Sequence, residues 1–204
     1  MLQAGRFCLV PLILIGGIIG CETKPPAANS GKAPAGKPDS KADEKVPEQS
    51  EPDEIRLAVI DAAGLQAAVD THTGKVVLVD CWATWCDSCV KAFPHTVELS
   101  RKLADQGLVV MSLSFDDPEA EKIAKVRAFL REQEATFENY VSKLDLADDG
   151  ADAFGINDGA LPHYKVYDRS GKLLKSLSAA DPDQSLTPET LEAAVTEALQ
   201  SPAP

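Results

Sequence analysis

Two cysteines three residues apart, Cys86 and Cys89, follow Trp82-Ala83-Thr84-Trp85 and the apolar run Val76-Val77-Leu78-Val79. A Cys-x-x-Cys pair can exchange its thiols for a disulfide, and the attacking member works as the thiolate. The run before the pair reads as a buried strand and the segment after it as a helix. Amide N–H groups and the dipole at a helix start favour negative charge, which stabilises a thiolate at Cys86. Cys86 is therefore the expected nucleophile. Cys89, one turn later, would resolve the mixed disulfide by attacking Cys86. A static disulfide or half of a zinc site are the other uses of such a pair, but zinc usually takes four ligands. The sequence holds no second Cys-x-x-Cys.

The neighbours of the pair carry the tuning. Asp87 puts a carboxylate beside Cys86, which opposes its thiolate and shifts the couple toward a reductant, while Ser88 offsets this through a hydrogen bond. Asp80 ends the apolar strand, a costly place for a carboxylate unless it is exposed or functional. Trp82 reads as core, and Trp85 either as core or as an exposed wall of a docking surface beside the nucleophile. Cys81 reads as a buried, inert, small hydrophobe. His72 and His95 read as surface or helix residues without partners.

The elements that must hold these residues follow from periodicity and punctuation. Residues 55–60 read as a strand, 62–71 as a helix with Leu65 and Val69 on one face, and 76–81 as a strand buried on both faces. A helix is predicted from Asp87 to about Ala104 and a second buried strand over 108–115. Asp116-Asp117-Pro118 then supplies a capping acid and a first-turn proline for a helix over 119–133. Residues 148–154 read as a short helix. A hairpin is predicted from 164–168 and 173–177 around Arg169-Ser170-Gly171, and Thr187-Pro188-Glu189 opens a last helix to Leu199. Strands alternating with helices and ending in a hairpin give an α/β sandwich with a mixed central sheet flanked by helices.

Trp82-Ala83-Thr84-Trp85-Cys86-x-x-Cys89, preceded by Val-Val-Leu-Val-Asp and followed by Pro94 and by Leu161-Pro162, resembles the thioredoxin superfamily. It is most similar to the extracytoplasmic, membrane-tethered branch, the TlpA/ResA-like reductases that serve cytochrome c maturation. The resemblance spans residues 55–199. It implies a thioredoxin-like sandwich with an insertion, running to Ala160, between the βαβ half and the C-terminal hairpin-helix half. It implies a helix kinked at Pro94. It also implies a cis bond before Pro162, which exposes the backbone of Leu161 to a substrate strand and keeps metal off the thiols. Asp80 falls where the family carries a buried acid that relays a proton to the second cysteine; a solvated strand-end acid is the alternative. Leu161 departs from the Thr or Val more usual there. His163, after Pro162, is the histidine that would lie near the dithiol. No cofactor is implied beyond the redox-active Cys86–Cys89 disulfide, and no metal.

Residues 1–20 read as an export signal: one charge at Arg6, an apolar run broken by Pro11, then a small-residue stretch before Cys21. This resembles a bacterial lipoprotein signal, which implies lipid on Cys21 as the mature N-terminus. An uncleaved membrane anchor is the alternative, though Phe7 to Gly20 is 14 residues, short of the roughly 20 a spanning helix needs. Residues 21–54, Pro-, Ala-, Lys- and Glu-rich with Val46 the one branched aliphatic, read as a disordered linker with a reach of roughly 30 Å. The domain is then 55–204, held at the extracytoplasmic face of a bacterial membrane by its lipid.

A formal net charge of −12 disfavours nucleic acid as a partner. The partners implied are exported proteins with disulfides, apocytochrome c among them, and a membrane protein that supplies electrons as thiols. Two competing readings remain. A peroxiredoxin-type thiol peroxidase would need Pro-x-x-x-Thr-x-x-Cys, which is absent. A copper chaperone would use Cys86, Cys89 and His163 as soft ligands.

Overall fold

The computed structural model describes residues 55–156, 159–182 and 185–202, all within the unit Pro47–Pro204. The signal at 1–20, the lipidation site Cys21 and the linker to residue 54 lie outside the described residues.

Six strands form one sheet in the order β1-β4-β3-β2-β5-β6. β1 (Leu57–Ile60), β4 (Glu138–Ser142), β3 (Leu108–Ser114) and β2 (Val76–Trp82) run parallel, and β5 (His163–Tyr167) and β6 (Leu173–Ser178) close the sheet antiparallel. β2 is buried along its whole length because it is central and covered on both faces, which its unbroken apolar run anticipates. On one face its even-numbered residues meet α2 (Asp87–Lys102), α3 (Ala120–Glu132) and α5 (Pro188–Gln200). On the other face Val77, Val79 and Cys81 pack against Leu65 and Val69 of α1 (Ala62–Asp70) and against Phe154 and Ile156. Among the described residues no helix is long and apolar enough to cross a membrane.

The α/β sandwich with a mixed central sheet flanked by helices is as expected, and the differences are local. The segment between β3 and β5 is α3, then β4, a strand the sequence did not suggest, then a π-turn over Leu146–Gly150 and the three-residue α4 (Ala151–Ala153). β4 reads Glu-Asn-Tyr-Val-Ser, poor in strand formers. Its inward Asn139 is satisfied by the Ser112 hydroxyl and by the carbonyls of Ala135 and Phe137. α2 ends two residues early, and Ala104–Gln106 continue as a 3₁₀ turn closed by Gly107 at φ 95°. Neither acid of Asp116-Asp117-Pro118 is the N-cap of α3; Glu119 holds that position, and Asp116 turns inward. Thr187 caps α5 with Pro188 in its first turn, as read.

Candidate active site

β2 ends in Trp82, whose ring is locked at 4.8 Å from both Phe93 of α2 and Phe129 of α3. These contacts fix the strand end against the helix that follows. The chain then reverses over Ala83 to Cys86, closed by the Cys86 N–H donating to the Ala83 carbonyl at 3.2 Å. Cys86 is the N-cap of α2: its carbonyl accepts from Val90 N–H at 3.0 Å, and its Sγ accepts from Cys89 N–H at 3.2 Å. A sulfur so placed satisfies one of the helix's orphan amides, the role a Ser or Asp plays at other helix starts.

Cys86 and Cys89 are disulfide-bonded, with Sγ atoms 2.08 Å apart, so this is the oxidised state. Cys86 is 8% exposed and Cys89 2%, which makes Cys86 the sulfur a second protein can reach more readily. Asp87 and Ser88 are exposed, and the Ser88 hydroxyl lies 3.4 Å from Cys86 Sγ. On reduction, the same Cys89 amide and Ser88 hydroxyl would face a thiolate, and Asp87 would oppose it. Trp85 is 60% exposed beside the dithiol. It is a wall rather than core, whereas Trp82 is core.

Asp80 is 1% exposed, which rules out a solvated strand-end acid. It shares a sheet face with Leu78 and Trp82 beneath α2, where the Thr96 hydroxyl donates to its Oδ2 at 2.6 Å. Its Oδ1 has no hydrogen-bond partner among the described residues. Burial pushes its pKa up to about 7, against the smaller opposing effect of the Thr96 bond. Tyr164, paired with it across β5, is on the same face, and burial together with the Asp80 charge holds its phenol well above the ordinary range.

The Leu161-Pro162 bond is cis. Leu161 joins Trp85, Cys86, Asp87, Ser88 and Lys91 around a groove of about 460 Å³, to which Leu146 and Gly159 add the far wall. Behind Pro162, a second cavity of about 340 Å³ is lined by Ser88, His95, Tyr164 and Leu191 among others.

Other residues fall elsewhere. His163 pairs across from Cys81, so its ring lies on the α1 face, opposite Asp80, with Nε2 2.6 Å from the Ser176 hydroxyl. Its place after Pro162 therefore does not carry the ring toward α2. Among the described residues no three His, Cys, Asp or Glu side chains gather as a metal site. His72 and His95 do have partners: His72 lies 3.2 Å from Glu138 Oε1, and His95 Nε2 3.2 Å from the Pro188 carbonyl. Cys81 is fully buried, and burial pushes its thiol up to about 12, so it stays a neutral packing residue. Sequence reasoning missed Thr96 and Tyr164 at Asp80, and it missed Asp116, whose carboxylate receives hydrogen bonds from Thr84. For Thr96 the signal was a polar side chain inside a periodic apolar pattern, and for Asp116 an acid directly after an apolar strand.

A family model described as the AhpC/TSA family matches residues 44–176. The thiol-disulfide oxidoreductase ResA of Bacillus cereus is 26% identical over 122 residues, 59% of this chain and 65% of that protein. ResA of Geobacillus thermodenitrificans is 26% identical over 118 residues, 58% and 63%. The match thus spans just under two thirds of these relatives' own length. Among solved structures, a Chlorobium tepidum protein bearing the name thiol:disulfide interchange protein DsbE superposes with TM-score 0.50 at 26% identity, covering 63% of this chain and 83% of that one.

An ordinary aspartate titrates at 3.8 and Asp80 at about 7, so between these values the folded protein holds a proton that the unfolded chain has lost. Stability falls as pH rises through that window and levels off above about 7, where both states are ionised. Asp80→Asn escapes this loss. Relative to wild type its unfolding free energy should gain a few kcal/mol between about pH 4 and about pH 8, read from urea titrations at each pH. A difference that stays constant with pH would overturn the buried-acid assignment.

Proposed function

The chain belongs to the AhpC/TSA family, and from that premise we propose that it is a thioredoxin-like thiol–disulfide oxidoreductase that reduces disulfides of exported proteins. The observation that carries this reading is the Cys86–Cys89 disulfide in the first turn of α2, with Cys86 as the N-cap and the more exposed sulfur.

In the reduced protein, the Cys86 thiolate attacks one sulfur of a client disulfide. A bond forms between Cys86 Sγ and that sulfur, and the other leaves as a thiolate that takes up a proton. Cys89 then gives up its proton and attacks Cys86 Sγ, which releases the client's second thiol and regenerates the Cys86–Cys89 bond. Two electrons pass to the client, whose two leaving thiolates take up protons from water, and a thiol donor must return the electrons for another cycle. Asp80 receives the Cys89 proton in this scheme; a buried acid whose pKa lies near 7 can hold or release a proton at neutral pH. Leu161 and Pro162 present backbone to an extended client, with Trp85 and Leu161 as apolar walls of the groove.

The direction favoured is reduction, because Asp87 opposes the Cys86 thiolate and so disfavours the reduced form. A client set that includes apocytochrome c, an electron-supplying membrane thiol protein, and a lipid on Cys21 at the extracytoplasmic face complete the reading. It is supported by the likeness to the ResA proteins and by the residue 1–21 pattern. Family membership alone would also suit a thiol peroxidase. Against it, Ala83 stands where the peroxidase motif has threonine, and the resolving thiol is one helical turn away rather than distant.

Wild type should reduce insulin in the presence of dithiothreitol, Cys86→Ser should abolish this, and Cys89→Ser should accumulate a mixed disulfide with the client. Activity retained in Cys86→Ser would sink the nucleophile assignment, and consumption of peroxide in place of insulin would favour the peroxidase.

For Asp87→Asn, removing the adjacent charge should lower the Cys86 pKa and raise the potential by tens of millivolts, since one pKa unit corresponds to roughly 30 mV for a two-electron couple. Glutathione equilibria at two salt concentrations measure it. An unchanged or lower potential would remove the argument for a reductase.

Expressed in a bacterium, the full chain should fractionate with membranes, and mass spectrometry should find its mature N-terminus at an acylated Cys21. An unmodified Cys21 behind an intact residue 1–20 segment would mean a membrane anchor instead.

A further inference from the structure

The turn that delivers Cys86 is held by a carboxylate from the next strand. Asp116 lies two residues past β3 and is 3% exposed. Its Oδ2 accepts from the Thr84 backbone N–H at 2.8 Å and from the Ser114 hydroxyl at 2.7 Å, and its Oδ1 accepts from the Thr84 hydroxyl. Ser114 Oγ accepts in turn from the Asp116 N–H at 3.0 Å, and Phe115 N–H donates to the Trp82 carbonyl at 2.8 Å. The end of β3 is thus stitched to the chain that leaves β2.

The peptide group being gripped matters. Thr84 N–H and the Ala83 carbonyl belong to one planar unit, and that carbonyl accepts the Cys86 N–H. Fixing the Thr84 side of the plane aims the carbonyl at Cys86, and with Cys86 so held its Sγ meets the Cys89 amide at 3.2 Å. In the oxidised protein the disulfide also enforces this geometry. In the reduced protein that restraint is gone, and the turn must keep the sulfur over the helix start. A buried carboxylate is an expensive brace, and its bonds are spent on one threonine and on the serine that orients it.

We propose that Asp116 and Thr84 are positioning residues for the Cys86 thiolate, holding the Ala83–Thr84 peptide so that the reduced sulfur keeps its bond to the Cys89 amide. The inference rests on the oxidoreductase reading for its purpose, but its test reads the thiol itself. Among the described residues the groove around Cys86 carries two charged side chains, Asp87 and Lys91, both on α2, and none of the substitutions alters them.

The experiment uses the full chain, reduced, and follows the ultraviolet absorbance of the Cys86 thiolate against pH in wild type, Thr84→Val, Thr84→Ser, Asp116→Asn and Asp116→Ala. Thr84→Val keeps the shape and loses the hydroxyl bond. Asp116→Asn keeps an acceptor for the Thr84 N–H and offers an amide that the Thr84 hydroxyl can accept, so the grip survives without the charge. Thr84→Val and Asp116→Ala should raise the titration midpoint by about one pH unit, with a matching loss of iodoacetamide reactivity at neutral pH. Thr84→Ser should stay close to wild type, and Asp116→Asn should stay there or fall below it, because loss of a carboxylate charge favours a thiolate. Should Asp116→Ala not fold, as judged by near-ultraviolet circular dichroism, the contrast between Thr84→Val and Thr84→Ser decides. A folded Thr84→Val with the wild-type midpoint overturns the proposal, and so does an Asp116→Asn that rises as far as Asp116→Ala. Failure of wild type to reduce insulin would instead strike the functional reading and leave these titrations to be judged separately.

Discussion

Cys86 can be the N-cap of α2 because β2 ends in a fixed place, and most of the molecule serves that placement. β2 is paired on both edges and covered on both faces, so its last residue, Trp82, has nowhere to move between Phe93 and Phe129. A close-packed interior transmits such positions with little slack. The three residues that follow have only to reverse the chain, and the bond from Cys89 N–H to Cys86 Sγ then sets the first turn of the helix. A loop between strand and helix would have left the sulfur free to rotate away from the amide that stabilises it.

That placement has a cost beneath α2. Tyr164, Asp80, Ser112 and Asn139 stand in register across β5, β2, β3 and β4, a polar row under a helix that otherwise buries Leu99 and Phe93. Ser112 and Asn139 satisfy each other and nearby carbonyls, but among the described residues Asp80 keeps one oxygen without a partner. A buried, half-satisfied carboxylate is destabilising, and an apolar residue would pack there at lower cost. Its elevated pKa is the physical consequence of that cost, and it is the property a proton acceptor near a dithiol needs.

The sequence showed clearly what rests on local pattern. The uninterrupted apolar run of β2, the Cys-x-x-Cys after it and the Thr187-Pro188 start of α5 each depend on neighbours in the chain. β4 was invisible because Asn139 and Ser142 are tolerated inside only through partners supplied by β3, by the chain before β4 and by Leu144. The role of Asp116 was hidden for the same reason: the run Asp116-Asp117-Pro118 has a strong local use as a helix start, and the competing use of Asp116 by Thr84 lies 32 residues away in sequence. Likewise His163 follows Pro162 directly, yet strand alternation turns it to the other face of the sheet.

Two effects compete at the nucleophile, and their sizes rank them. A hydrogen bond from an amide to a charged sulfur contributes about 1.5–3 kcal/mol, and the helix start adds about 0.3–1 kcal/mol more. Asp87 acts from an exposed side chain, where interactions between charges are worth about 0–1 kcal/mol and weaken with salt. By these sizes the thiolate of the reduced protein would be stabilised on balance, with Asp87 trimming that stabilisation without reversing it. Attack on a client disulfide and a reducing poise ask for opposite things, a ready thiolate and a less stable reduced state. On the proposed reading the backbone supplies the first and one exposed carboxylate, Asp87, the second. That reading makes residue 87 the place to retune the potential, because its side chain is exposed and takes no part in the buried turn that holds Cys86.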